Sequence, residues 1–251
     1  LYGRHAIRGF ISATAAPGGV GKTALAIAES LALVTGKNLL NDAPLTRCAV
    51  WYLGLEDPLD EYERRVGAAM LLHKLAPSQV TGGLFLNSGR GQEFIIASER
   101  RDGLDIHRPV VSAIVRNIKQ NNIGLLIVDP FCASHLISEV DNTGIAAIAR
   151  QWADIADQTG CAVELVHHVR KGNAGQEASA DDARGASAFV NATRSARFLV
   201  PMAREEAEQA NIDANDRRRF FRVVNGKANL TLHNDAGAWR ELVSMNLRNG
   251  D

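Results

Sequence analysis

Ala16-Pro17-Gly18-Gly19-Val20-Gly21-Lys22-Thr23 decides the reading of this chain. Before it runs an apolar stretch, Ile7–Ala15, of strand character. After it comes a helical pattern, Thr23–Val34, whose Leu25, Ile27, Ala28 and Leu31 share a face and which Gly36 stops. Glycines at such a junction let the backbone turn with its N–H groups inward, and the helix N-terminus adds the positive end of its dipole. Together they cradle phosphate oxygens. Pro17, Gly18, Gly19, Val20, Gly21, Lys22, Thr23 and Ala24 therefore form the expected nucleotide-binding set. Lys22 offers a point charge to β- and γ-phosphates, and Thr23 offers its hydroxyl to Mg²⁺. The strict pattern asks for glycine first, where this chain has Ala16.

Outward from this loop, apolar runs and helical patterns alternate. Strands are expected at Cys48–Leu55, Leu84–Asn87, Ile123–Val128 and Cys161–His168, and helices from Pro58 to about His73 and over Pro109–Gln120 and Gly144–Gln158. Apolar strands without alternation, joined by helices, predict an α/β fold with a mostly parallel central sheet covered on both faces. After Ala196 the pattern changes to strands with short turns, Arg197–Pro201, Phe220–Val224, Leu230–His233 and Ala238–Leu242. These are expected to add antiparallel strands to the same sheet. The whole chain, 1–251, reads as one domain, with a core of about 7–200 and a β-rich extension over 201–245.

Composition narrows the function classes. Lys plus Arg number 28 and Asp plus Glu 28 among 251 residues, so the net charge is zero. That excludes a polybasic protein whose affinity rests on overall charge. Hydrophobic residues at 46% and charged residues at 22% suit a folded globule and not a disordered chain. Cys48, Cys132 and Cys161 stand far apart, which argues against a disulfide framework and predicts reduced thiols. No apolar run reaches the ~18 residues of a membrane span, so a cytoplasmic protein without a membrane partner is expected.

Hydrolysis needs more than a phosphate cradle. Leu125-Leu126-Ile127-Val128-Asp129 delivers a carboxylate at the end of an apolar strand, where open α/β sheets bind ligands, and Asp129 is expected at the Mg²⁺ water shell. Glu56 ends the strand Val50–Leu55 and can act as base to, or orient, the attacking water. Asp57 precedes Pro58 and is the expected helix N-cap, which frees Glu56 for chemistry. His167 and His168 are neighbours on one strand and face opposite ways, so they cannot readily chelate one metal. One can face the γ-phosphate region and report to the loop beyond; the competing reading is a histidine packed in the core. Residues 171–182 hold no side chain larger than Ala among their apolar members and read as a loop. Arg184 and Arg194 bound a short helical stretch, and Lys227 falls in an expected hairpin turn. Cations spread over separate elements make sense as fingers presented to a neighbouring subunit's phosphates.

These segments occur in a recognisable order. Ala-Pro-Gly-Gly-Val-Gly-Lys-Thr (16–23), Trp-Tyr-Leu-Gly-Leu-Glu-Asp-Pro (51–58), Leu-Leu-Ile-Val-Asp-Pro (125–130), Leu-Val-His-His-Val-Arg-Lys-Gly (165–172), Arg-Gly-Ala-Ser-Ala-Phe-Val-Asn-Ala-Thr-Arg (184–194) and Phe-Arg-Val-Val-Asn-Gly-Lys-Ala-Asn (221–229) follow one another. Over roughly residues 7–235 the chain resembles the RepA-type hexameric replicative helicases of plasmids and the related RecA-like ATPases of phages and mobile elements. The resemblance implies a RecA-like fold, a hexameric homo-oligomer with ATP and Mg²⁺ at subunit interfaces, and single-stranded DNA as partner. It implies Lys22 and Thr23 on the nucleotide, Glu56 as catalytic carboxylate, Asp129 on the metal and His168 as sensor. Arg194 and Lys227 become trans-acting fingers, with Arg184 the alternative arginine. The chain departs from the pattern at Ala16 and in the loop after the histidines, where Glu177, Asp181 and Asp182 outnumber Lys171. A channel loop that touches DNA is more comfortably basic. The rival expectation is an oligomeric ATPase that acts on protein partners without unwinding. A phosphotransferase is disfavoured because no arginine-rich lid occurs, and a binding module without turnover would leave Glu56 a mere cap.

Overall fold

A computed structural model of the chain describes residues 1–100, 103–169, 187–229 and 237–248. The first half runs β1 (Ile11–Ala16), α1 (Lys22–Thr35), β2 (Ala49–Gly54), α2 (Leu59–Leu72) and β3 (Leu84–Ser88), then a short pair β4 (Ala97–Arg100) and β5 (Gly103–Ile106). Next come α3 (Arg108–Gln120), β6 (Ile123–Asp129), β7 (His135–Leu136), α4 (Asn142–Thr159) and β8 (Ala162–His168). The remainder holds α5 (Ser187–Ala192), β9 (Ser195–Pro201), α6 (Arg204–Gln209), β10 (Phe220–Ala228) and β11 (Ala238–Glu241).

The main sheet has the order β11-β10-β9-β1-β8-β6-β2-β3. All pairs from β9 to β3 are parallel, while β10 pairs antiparallel with both β9 and β11. Strand β6 shows why its residues had to be apolar throughout. Leu126 and Val128 join the core formed with Ile114 and Ile118 of α3 and Ile148 and Trp152 of α4. Leu125 and Ile127 join the core formed with Ile27 and Leu31 of α1 and Tyr62 and Val66 of α2. Both faces are buried, as parallel sheets require. Of the antiparallel strands expected after Ala196, β10 and β11 are present. The Arg197–Pro201 run is instead β9, which extends the parallel sheet beside β1 and is antiparallel only to β10, and Leu230–His233 lies outside the described residues.

Several local expectations need correction. Strand β1 starts at Ile11 because Gly9, at φ 74°, turns the chain, and Tyr2–Ala6 closes on itself through a bridge. Asp57 does not cap α2; Pro58, extended at ψ 159°, occupies that position. The Asp57 carboxylate instead meets Arg65 at 2.9 Å, an ion pair offered by the second turn of the same helix. Lys227 is not in a hairpin turn. It lies inside β10, beside the register shift between Asn225 and Lys227. The small sheet β5-β4-β7 and helix α6 have no counterpart in the sequence reading. The cysteines are free thiols, Cys161 buried and the other two half-buried. Among the described residues no helix is long and apolar enough to cross a membrane.

A buried ionic cluster ties the P-loop helix to the sheet. Arg197 of β9 is bidentate to Glu29 of α1, with both contacts at 2.6 Å, and donates to the Thr14 hydroxyl at 2.7 Å. Glu164 of β8 accepts from Ser12, Thr14 and His5. The other His5 nitrogen meets Ser195 at 2.8 Å. Burial would raise the Glu164 carboxyl, but His5 and Arg197 outweigh it and bring it down to about 2.

Candidate functional site

The parallel strands end on one edge, and their last residues bring the site together. Register pairs Ala16 with His168 and Gly54 with Asp129, so the P-loop, the histidines, Asp129 and Glu56 stand side by side. The cradle follows from its glycines. Gly19 and Gly21 have φ of 80° and 108°, a region that L side chains rarely adopt. A Cβ on Gly18 or Gly19 would meet nothing within 4 Å, which leaves the loop's interior open. Ala16, by contrast, is extended strand with a fully buried methyl packed against Val20 and Leu25, so glycine is not needed there.

Lys22 is buried, and its ammonium donates to the Ala16 and Pro17 carbonyls at 2.9 and 2.8 Å. Burial lowers it to about 8, while Asp129 and Glu56 pull the other way. The Thr23 hydroxyl donates to Asp129 Oδ2 at 2.8 Å. A hydroxyl and a carboxylate this close are the hard oxygen donors that Mg²⁺ takes beside phosphate, so these residues fit that ion. Among the described residues no cluster of three His, Cys, Asp or Glu could hold a metal alone.

The Glu56 side chain is 56% exposed at this edge, and His168 Nε2 lies 3.7 Å from its Oε2. His167 points the other way, its ring packed 4.9 Å from Phe189 and 6.2 Å from Phe131. Burial, with His168 and Lys22 nearby, lowers His167 to about 4, so it is neutral at pH 7. The two histidines thus divide between site and core.

Sequence reasoning missed what holds Glu56 and Asp129. The Tyr52 hydroxyl donates to Asp129 Oδ2. The Tyr62 hydroxyl accepts the Asp57 N–H at 3.0 Å. Ser88 Oγ donates to the Asp57 carbonyl at 2.6 Å, and Arg90 Nε donates to the Glu56 carbonyl at 2.8 Å. Gly54 makes room for this arrangement, since a Cβ there would lie 2.1 Å from Tyr62 Cζ. Gly54→Ala is expected to cost about 1–3 kcal/mol through overpacking, measured by denaturant unfolding against wild type.

Arg194 and Lys227 are not brought to this site. The Arg194 N–H donates to the Ile11 carbonyl at the start of β1, and Lys227 is paired with Ala196. Arg194 is level with Ile11, ~17 Å from the P-loop end of β1 at ~3.3 Å per residue, and Lys227, level with Ala13 through Ala196, is ~10 Å short of that end. The two cations are near neighbours, for burial first and Arg194 second lower the Lys227 ammonium. Lys227 Nζ donates to the Asn191 and Val190 carbonyls at 2.8 and 3.3 Å, at the C-terminal end of α5. Arg184 and the 171–182 stretch lie outside the described residues.

Residues 1–174 match the model of a family described as AAA domain. The chain belongs to that family. The AAA domain chain is also similar in structure to the RadB recombinase, with a TM-score of 0.58. That likeness covers 95% of this chain and 89% of the other at 14% identity. With the P-loop, the parallel sheet and the antiparallel C-terminal strands, this AAA domain chain has a RecA-like fold.

Proposed function

We propose that the chain, as a single domain, hydrolyses ATP with Mg²⁺ inside a ring of identical subunits and acts on single-stranded DNA, as the RepA-type plasmid helicases it resembles imply. The observation that carries this reading is the division of its charges. Lys22, Thr23, Asp129, Glu56 and His168 share one edge, whereas Arg194 lies level with the start of β1 and Lys227 with its middle, away from their own P-loop, a placement that suits contact with another subunit's nucleotide.

In this reading Pro17–Ala24 wraps the phosphates, with Lys22 against the β- and γ-oxygens. Thr23 and Asp129 would hold Mg²⁺, which would supply positive charge against those oxygens. Glu56 orients water for in-line attack on the γ-phosphorus; the bond to the bridging oxygen breaks, and ADP and phosphate leave. His168, 3.7 Å from Glu56, senses the γ-phosphate. Arg194 and Lys227 of one subunit complete the site of the next, as arginine fingers do in related ATPases.

Mass measurement with and without ATP, then phosphate release with and without single-stranded DNA, tests the reading. The expected result is an ATP-promoted ring whose turnover rises with DNA, together with strand displacement. An oligomeric ATPase indifferent to DNA would instead favour the second reading, action on a protein partner. That reading draws on Glu177, Asp181 and Asp182 in the sequence after the histidines. A monomer with full turnover would remove the fingers from the mechanism.

A further inference from the structure

Two tyrosines brace the candidate site, one at the Asp129 carboxylate and one at the Glu56-Asp57 turn, and the sequence reading gives neither a role. Tyr52 sits in β2, only 1% exposed, four residues before Glu56. Its hydroxyl donates to the same Asp129 oxygen that the Thr23 hydroxyl reaches. Asp129 is itself 4% exposed and has lost most of its water. A buried carboxylate in that state needs fixed donors, and charge-assisted hydrogen bonds of this kind are among the strong ones. With both hydroxyls on Oδ2, the plane of the carboxylate is set and Oδ1 is kept for a water of the cation's shell.

Tyr62 of α2 packs against Tyr52, with ring centroids 5.5 Å apart at 52°. Its hydroxyl accepts the Asp57 N–H. Ser88 and Arg90 take the Asp57 and Glu56 carbonyls from the other side. The turn that carries Glu56 is therefore held at three backbone atoms, although the Glu56 side chain itself is exposed. We propose that Tyr52 and Tyr62 are positioning residues that act as one buried pair. Tyr52 sets the Asp129 carboxylate for the divalent cation, and Tyr62 sets the Glu56 turn for the attacking water. This rests on the roles proposed above for Glu56 and Asp129.

The test uses the full chain with Tyr52→Phe and Tyr62→Phe, each of which removes one hydroxyl and keeps the ring pair. Binding of a fluorescent ATP analogue is titrated in EDTA and against rising Mg²⁺, Mn²⁺ binding is followed by electron paramagnetic resonance, and phosphate release gives kcat and KM. For Tyr52→Phe, affinity in EDTA stays as in wild type. Its cation requirement rises about tenfold, the size expected when a metal ligand loses its orienting partner. For Tyr62→Phe, the cation titrations and KM stay unchanged while kcat falls about ten- to hundredfold, as misplacement of a reacting group does. Thermal unfolding of both variants is recorded alongside. A purely structural pair would move both variants alike, and equal shifts in the cation titration overturn the proposal. So does a Tyr52→Phe protein with wild-type cation binding. If wild type itself shows no cation-dependent nucleotide binding and no turnover, the reading of Asp129 and Glu56 falls, and the pair falls with it.

Discussion

Lys22→Ala abolishes ATP turnover while the chain stays folded; this is the largest functional effect expected. The ammonium is buried at the mouth of the P-loop and is held by the Ala16 and Pro17 carbonyls. Lys22 belongs to none of the apolar clusters on either face of the sheet, so the fold keeps its core. The phosphates have no substitute for its charge. Removing one preorganised charge aimed at a transferring phosphoryl group costs at least about 10²–10³ in rate. Phosphate release should drop to background with thermal unfolding little changed. Turnover comparable to wild type would take Lys22 out of the site.

The largest stability effect is expected from Arg197→Met. The buried guanidinium stands between a half-buried and a buried carboxylate, bidentate to Glu29 and 3.9 Å from Glu164. Methionine fills similar space but leaves Glu29 without its bidentate partner and Glu164 with His5 alone in place of His5 and Arg197. Breaking a buried ion pair by removing one partner costs about 3–5 kcal/mol. For a chain of this size that is on the order of 10 °C in Tm. Arg197→Lys keeps a charge but not the fork, and should fall between the two. The pH dependence carries a sign. Glu164, lowered from its ordinary 4.5 to about 2 in the folded chain, contributes stability that is present above pH 4.5 and lost as pH falls towards 2. Arg197→Met should reduce that acid limb in part, since His5 still holds Glu164, and urea unfolding at several pH values measures both effects.

The parts of the fold that could be read from residues are those whose information is local. Glycines followed by Lys22-Thr23 announce a turn and a helix start, and a run such as Leu125–Val128 can lie only in a strand buried on both faces. The carboxylates Asp129 and Glu56 were legible because each ends such a run. Asp57 misled because its cap geometry competes with Arg65, which sits eight residues on and faces back only once α2 has formed. Lys227 misled because Asn225-Gly226 looks like a turn. In the fold Gly226 lies in a strand, where a Cβ would strike the Phe198 ring at 2.0 Å. Strands β4 and β5 are four residues each and carry Ser98, Glu99 and Asp105, a pattern no period detects. The Glu29–Arg197–Glu164 cluster and the Tyr52–Asp129 contact join residues far apart in the chain. Nothing near any one of them signals its partner.

The strand order bears on how the chain is made. β1 holds the P-loop and sits between β8 and β9, yet about 150 residues must follow it from the ribosome before β8 is complete. At roughly 5–20 residues per second, the central strand spends on the order of 10–30 s with both edges unpaired. During that interval its apolar residues Ile11, Ala13 and Ala15 are open to the wrong neighbours, including the same strand of another nascent chain. Chaperone demand should therefore be greatest mid-synthesis, and it should end once β8 and β9 close on either side.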